Sequence, residues 1–577
     1  MKASKKRGFT IIELVIVIAV IAILAAVLIP TFANIIQKAN VANDVALARN
    51  MNTILIADEA TNGRSTDMYD VLIALEQGGF KLENLNPRAD GNVFAWDKAN
   101  NQIVYLDKKN PEKPIFQAKE IGNNKGDLYI TTRKAEVFAD YPGYSYYFAS
   151  DISGNITLDE GSCLDTGEFA LNGNVSVKTN KDVEIHGTIN GTITVDSTSG
   201  KITNYSVVEN VVIKNTAATS YHERGHVAAM EIQNSLTGKV VLENDAYVEK
   251  LTNNKTNGTV ESKGYVKAVA AESSDKESVK VTETGYVLEI GTYDQLVNFR
   301  NKVNAGASYS GMTVKLTADI DISERAWTPI GAVHREGITT SSKVFQGTFD
   351  GEGHTISGLT NTGFKISSAF KGSNGTTPAG YGEYVFGLFG SVYNATIKNI
   401  VMANVNVDLG CDEKEKVVGD SVGAIVGYAA GTNVTIDSCK VLSGSIVGYD
   451  AVAGIIGRTY SANTTISNCE NAATVTAIRR ASGILGFASL QKGATSVAIT
   501  GCKNSGNVKQ TGTPTTDPAD KTQKGYGYYM VAGLAIYQRG TSLEKVITIT
   551  GSSNTGTVTL TVPAGEGKNK DNTVWYY

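Results

Sequence analysis

Four places in this chain carry side chains whose types and spacing could do chemistry. The first is Glu13, the one charge in an otherwise apolar run from Phe9 to Ala33. A carboxylate at mid-bilayer costs up to about 3 kcal/mol, so it calls for a functional partner or a route to water. The second is His222-Glu223-Arg224-Gly225-His226, which fits the H-E-x-x-H pattern of zinc proteases. That chemistry needs both imidazoles one helical turn apart, a third ligand, and the glutamate as general base. Gly225 weakens a helix, Arg224 sets a cation beside the metal, and the flanks Val211–Lys214 and Met230–Gln233 alternate as strands. The segment therefore reads as a surface turn. Third, Cys439, Cys469 and Cys502 recur in one slot that Ile400 and Ser552 also fill, which reads as an inward ladder of small side chains. Fourth, Asp350-Gly351-Glu352-Gly353 with Asp319 and Asp321 could offer oxygens to calcium. It lacks EF-hand spacing, and Asp-Gly is first a turn signal.

Composition narrows the function classes. With 577 residues the chain exceeds what one core supports, so several domains are expected. The 53 basic residues are matched by 57 acidic ones, which argues against a general nucleic-acid surface. High Gly, low Pro and abundant Val, Ile, Thr, Asn and Tyr predict a strand-rich protein with many tight turns. Five widely spaced cysteines declare no disulfide framework, and no zinc-type pairing links them; Cys163 and Cys411 have no evident partners. No clustered carboxylates suggest a glycosidase or lyase. The reading is a non-enzyme with no cofactor and no metal.

The elements that position Glu13 follow from the first sixty residues. Lys2, Lys5, Lys6 and Arg7 precede the apolar run and set the N-terminus in the cytoplasm. As a helix, Phe9–Ala33 spans roughly 37 Å, enough to cross a bilayer. The pattern continues amphipathically through Ile35, Ile36, Ala39, Val41, Val45, Leu47, Met51, Ile54 and Leu55, and stops near Asn62-Gly63. Gly8-Phe9-Thr10-Ile11-Ile12-Glu13-Leu14 resembles the type IV prepilin cleavage and N-methylation motif. The resemblance implies cleavage after Gly8, a methylated N-terminus at Phe9, and Glu13 as the assembly carboxylate that meets the α-amino group of a neighbouring subunit. Pro30 matches the helix proline of that family, where a missing N–H permits a kink or local melting.

Beyond the helix, Asp67–Gln77 reads as a second helix capped from Thr66, and Phe94–Asp97 with Gln102–Leu106 as a hairpin. Residues 151–270 alternate as strands, with Gly and Asn punctuating them. An internal repeat then appears. Gly387–Gly390, Ala424–Gly427, Gly454–Gly457, Gly483–Gly486 and Gly533–Ile536 each head a unit with a following strand. Such units cannot bury a core singly, so stacking into a right-handed β-solenoid is predicted. They resemble the GLUG repeats of bacterial surface proteins, departing at Ala424 and Ile536 where Gly is replaced; that resemblance implies an exported, adhesin-like region.

The expected fold is α+β followed by all-β. Its parts are a leader (1–8), a transmembrane and assembly helix (9–62), a small pilin-like αβ head (63–150), a stacked β-rich region (151–270), a linker (271–285) and a GLUG-type β-solenoid (286–577). The expected function is a type IV pilin-like fibre subunit with an adhesive or decorative head. A pseudopilin of a secretion or DNA-uptake system is the alternative. Expected partners are a prepilin peptidase and N-methylase, other pilin subunits, the cytoplasmic membrane before assembly, and a carbohydrate or host-protein ligand. The precursor is expected in the membrane and the processed chain at the cell surface.

Overall fold

The computed structural model describes residues 11–65, 67–80, 85–158, 162–196, 199–216, 221–233, 235–255, 260–270, 286–323, 326–331, 338–339, 342–361, 382–412, 417–488, 496–512, 530–537, 547–560 and 574–576. Gly8, Phe9, Thr66 and the expected linker lie outside the described residues. The chain divides into two compact units. One comprises Met1–Glu243, Val248–Lys263 and Ala268–Val279; the other comprises Asn244–Tyr247, Gly264–Lys267 and Lys280–Tyr577.

The first unit opens with one helix of 52 residues, α1 (Ile11–Asn62), about 78 Å long. Pro30 lies inside it without ending it. The following Thr31 donates its hydroxyl to the Val27 carbonyl at 2.8 Å. A short helix α2 (Met68–Gln77) is capped by Asp67, whose carboxylate accepts the Asp70 N–H at 3.0 Å. The cap thus falls one residue after the position expected from sequence. An antiparallel hairpin, Val93–Asp97 with Gln102–Leu106, pairs Asp97 with Gln102 across the turn. Helices and hairpin share a core of Met51, Leu55, Val71, Leu75, Trp96 and Tyr105, all essentially buried.

Leu128–Thr132 runs antiparallel to the first hairpin strand, and Ser145–Phe148 then joins it in parallel. From there the same sheet continues as a stack of parallel strands through residue 150 without a break. Ile202 pairs with Tyr221, Tyr221 with Val240 and Val240 with Val260, so successive rungs add 19, 19 and 20 residues. A second column pairs Ile193 with Val211 and Val211 with Met230. These column residues up to Val240 are buried; in the second column their neighbours lie at least partly outward, the period-2 signature read from sequence, whereas in the first Thr203 and Val241 are buried as well.

In the second unit, the helix Tyr293–Ala305 is capped by Thr292 and ends at Gly306, whose φ of 126° only glycine adopts easily. Among the described residues, strands that are parallel apart from one antiparallel pair then stack as sheets of 12, 7, 6 and 5 strands. One column runs in register through Leu288, Val314, Phe349, Ile397, Ile436, Ile466, Ile499 and Ile549. Another runs Val407, Ile446, Val475, Val508 and Val558. These columns are apolar, and each rung packs its inward side chains against those of the next. An aromatic cluster of Phe299, Tyr309, Phe345, Phe349 and Phe389 sits near the first rungs, with ring centroids 5.0–6.4 Å apart.

A third column starts apolar, with Ile320, Ile356, Met402 and Val441, and turns polar at Asn471, Asn504 and Asn554. The first two amides donate along the stack, Asn471 to Asn504 at 2.8 Å and Asn504 to Asn554 at 2.7 Å. All three donate to a carbonyl two residues ahead: Ala473, Gly506 and Gly556 in turn. This ladder accounts for the glycines that head the last three repeats. A Cβ on Gly454, Gly483 or Gly533 would overlap the side chain of Asn471, Asn504 or Asn554 respectively. Where the ladder position is Val441 the repeat is headed by Ala424, whereas the repeat with Met402 there keeps Gly387, whose added Cβ would meet the Gly423 carbonyl instead. We predict that Gly483→Ala, which would also overlap the Gly533 carbonyl, destabilises the second unit by roughly 1–3 kcal/mol. A thermal melt superimposable on the natural chain would contradict this packing.

Candidate assembly helix and buried polar clusters

Helix α1 has two halves with different surroundings. From Ile11 to Ile36 its large apolar side chains are exposed, Ile11 by 82% and Phe32 by 57%. Ile35 and Ile36, where the amphipathic stretch read from sequence begins, belong to this exposed half. Glu13 lies in the first turn, an acidic side chain at the positive end of the helix dipole, and is exposed. Exposed apolar side chains over this length are long enough to cross a membrane. The second half docks on the head through Ala48, Met51 and Leu55, and through two polar residues the hydrophobic pattern did not reveal.

Those residues are Asp44 and Asn52. Fully buried Asp44 accepts the Arg88 and Ala89 N–H groups at 2.9 Å and the Tyr105 hydroxyl at 2.9 Å. Burial, the Asp44 bond and its charge push the Tyr105 phenol far above its ordinary range. Asn52 caps the hairpin strand, donating to the Ile103 carbonyl at 2.8 Å and accepting its N–H at 2.7 Å. Spacing of 44, 48, 51, 52 and 55 is a helical stripe; polar residues interrupting it were its only sequence signal.

The His222–His226 segment is not a helix. It is a strand end, Tyr221–Glu223, a corner at Arg224-Gly225, and a second strand, His226–Ile232. Nor is it a surface turn. Glu223 is fully buried and accepts from Asn204 at 3.0 Å, from the Tyr221 hydroxyl at 2.7 Å and from the Gly225 N–H at 2.7 Å. The imidazoles take separate acceptors, His222 with Glu243 at 2.7 Å and His226 with Glu249 at 3.1 Å. Burial raises Glu243, but the His222 bond and the charges of Arg224 and Lys263 outweigh it and hold the carboxyl below its usual range. The glutamate a protease would use as base is spent on the fold.

The cysteine slot is as the sequence reads it. Cys439, Cys469 and Cys502 are wholly buried, and the N–H after each slot residue bonds to the slot carbonyl one rung back. Hydrogen bonding among the thiols and burial push Cys469 and Cys502 well above the ordinary thiol range, so they are unreactive packing groups. Asp350 is likewise committed. It accepts from Asn399 at 2.9 Å and the Glu352 N–H at 3.0 Å, and pairs with Lys398 at 2.9 Å, leaving a poor calcium ligand.

A charged cluster that sequence did not reveal lies on the rungs at 420–487. Arg458, 4% exposed, donates to Ser421 at 3.0 Å and to Asp420 and Asp450 at 3.4 and 3.2 Å. Arg480 forms a two-pronged pair with Asp450 and lies 3.8 Å from the Phe487 ring centroid. Its hydrogen-bonded pairs lie up to 38 residues apart, and only the rung register brings them together. Burial raises the Asp450 carboxyl, but Arg480 and Arg458 outweigh it and hold it far below the usual range.

Two predictions follow from these clusters. Asp44→Ala strands three donors and destabilises the helix–head docking by roughly 2–4 kcal/mol, read from urea unfolding; unchanged stability would refute the anchoring role. Asp450→Asn leaves two guanidiniums facing a neutral amide and costs about 3–5 kcal/mol at neutral pH. A carboxyl depressed in the folded state stabilises above its unfolded pKa of about 4, and that stability is lost as pH falls toward the folded value. The gap between natural and Asn chains should therefore narrow below about pH 4, and a constant gap would contradict the pairing.

Comparison with known proteins bears on the N-terminal half of this picture. A family model described as the prokaryotic N-terminal methylation motif matches residues 3–29. The type IV major fimbrial protein FimA of Dichelobacter nodosus is 35% identical over 94 residues, covering 16% of this chain and 57% of that protein. A fimbrial protein of Moraxella nonliquefaciens is 44% identical over 98 residues, covering 16% of this chain and 63% of that protein. Halomucin of Haloquadratum walsbyi is 30% identical over 178 residues, 29% of this chain but 2% of that protein. The chain thus spans between one-fiftieth and under two-thirds of the lengths of these relatives. No solved structure matches it significantly. The motif, the exposed apolar helix and the fimbrial relatives fit a membrane-anchored precursor and then a surface pilus; in its N-terminal region the chain is type IV pilin-like.

Proposed function

We propose that the chain is cut after Gly8 by a prepilin peptidase, N-methylated on Phe9, and polymerised as a fibre subunit that displays its stacked strands. The observation that carries this reading is α1 itself: a continuous helix with an exposed apolar first half, Glu13 in its first turn, and a second half anchored by Asp44 and Asn52. Such a helix is stable in a membrane, and equally stable among copies of itself, because both environments cover the same apolar surface. In the fibre Glu13 pairs with the α-amino group of a neighbour, neutralising both charges and fixing the axial register. Pro30 gives the helix a point at which it can bend as subunits crowd together.

The region 286–577 is proposed as a GLUG-type β-solenoid with an adhesive or decorative role, its ligand a carbohydrate or a host protein. Parallel ladders, irregular insertions between rungs and a strand-stacked core support the solenoid reading. The leader, helix, head and β-rich divisions at 8, 62, 150 and 270 belong to the same proposal. No catalytic role is proposed, and the fimbrial relatives are named as fimbrial proteins.

Glu13→Ala should leave membrane insertion intact and reduce incorporation into surface fibres, scored by the ratio of chain in sheared fibres to chain in membranes. Wild-type fibre levels from that variant would remove Glu13 from assembly.

A further inference from the structure

Cys163 occupies an unusual place. Cysteine is among the side chains most often buried, yet here it lies on the outward side of a strand whose inward neighbour Leu164 is fully buried. In the parallel ladder Cys163 pairs with Glu184 and Asp165 with His186. Residues at i and i+2 of a strand share a face, and a paired residue on the next strand shares it too. Glu184, His186 and Cys163 therefore converge, and one ligand atom from each lies within 4.8 Å of the others. The His186 Nε2 to Glu184 Oε2 separation is 3.5 Å, close to the edge of a tetrahedral zinc shell with bonds of about 2.0–2.3 Å.

We propose that Cys163, Glu184 and His186 form a zinc-type metal site that ties two neighbouring rungs of the first stack, with a fourth position open to solvent. A thiolate, an imidazole and a carboxylate on one rigid ladder make a donor set suited to Zn²⁺ or Co²⁺ rather than to calcium or magnesium. The imidazole is held by its surroundings, stacking on Tyr205 with ring centroids 4.5 Å apart. Metal binding displaces the Cys163 thiol proton, with Asp165 and Glu184 alongside it on the ladder. The same two acidic groups favour a cation at this spot. From sequence Cys163 has no partner, because its pairing depends on which rung meets which.

The full chain in detergent micelles, stripped with chelator, is titrated with Zn²⁺ by calorimetry and with Co²⁺ by absorbance. The natural chain should bind one equivalent and show a thiolate-to-cobalt charge-transfer band. Cys163→Ser should abolish that band, and both Cys163→Ser and His186→Gln should weaken zinc binding at least about tenfold. Both positions face outward, and circular dichroism matching the natural chain confirms folding. Absence of zinc binding by the natural chain overturns the proposal. So does a cobalt band that survives Cys163→Ser, since it would belong to other thiols. Neither result depends on fibre assembly, so the site stands or falls separately from the pilin reading.

Discussion

The exposed apolar half of α1 sets the terms for everything else. Burying one large apolar side chain is worth about 1.5–3 kcal/mol, and this helix presents a row of them to whatever surrounds it. A bilayer and a bundle of like helices are the two environments that satisfy it. The rest of the first unit must then hold a rod of about 78 Å by one end only. Asp44 and Asn52 do so with directional bonds, which fix helix rotation and height against the hairpin in a way that apolar contact alone would not. The rod's outer half keeps its apolar side chains exposed.

A second constraint shapes the strand-rich part of the chain. Parallel strands stacked rung on rung make each inward position a column, and every residue in a column must suit the one above and below. Aliphatic columns meet this by packing, the cysteine slot by small volume, and the asparagine column by hydrogen bonds that repeat along the stack. The asparagines then dictate glycine at the head of their repeats. The charged cluster around Asp450 shows the same logic with ions: Arg458 and Arg480 come from different rungs and meet one carboxylate.

Much of this was legible in the amino-acid sequence because it is local. The long helix, the hairpin around Lys98–Asn101 and the strand-rich remainder follow from periodicity, and the shared cysteine slot follows from the repeat. Features that depend on register were not legible. Nothing near Asp450 announces Arg480, thirty residues on, and nothing near Cys163 announces His186. Polar groups in cores were also misleading: Asp44 and the ladder asparagines look like surface residues until the backbone groups they satisfy are seen. The His222–His226 motif failed for the converse reason. Five residues matched a pattern whose chemistry needs a helix, while their neighbours were already committed to strands.

The central claim is that α1 leaves the membrane and becomes the core of a surface fibre. Mass spectrometry of the N-terminal peptide from sheared surface fibres tests it most directly. The account predicts a peptide that begins at methylated Phe9 and is present in the fibre fraction. A chain still carrying Met1–Gly8 in fibres, or a processed chain confined to membranes, would contradict it, and the latter would point to a pseudopilin instead.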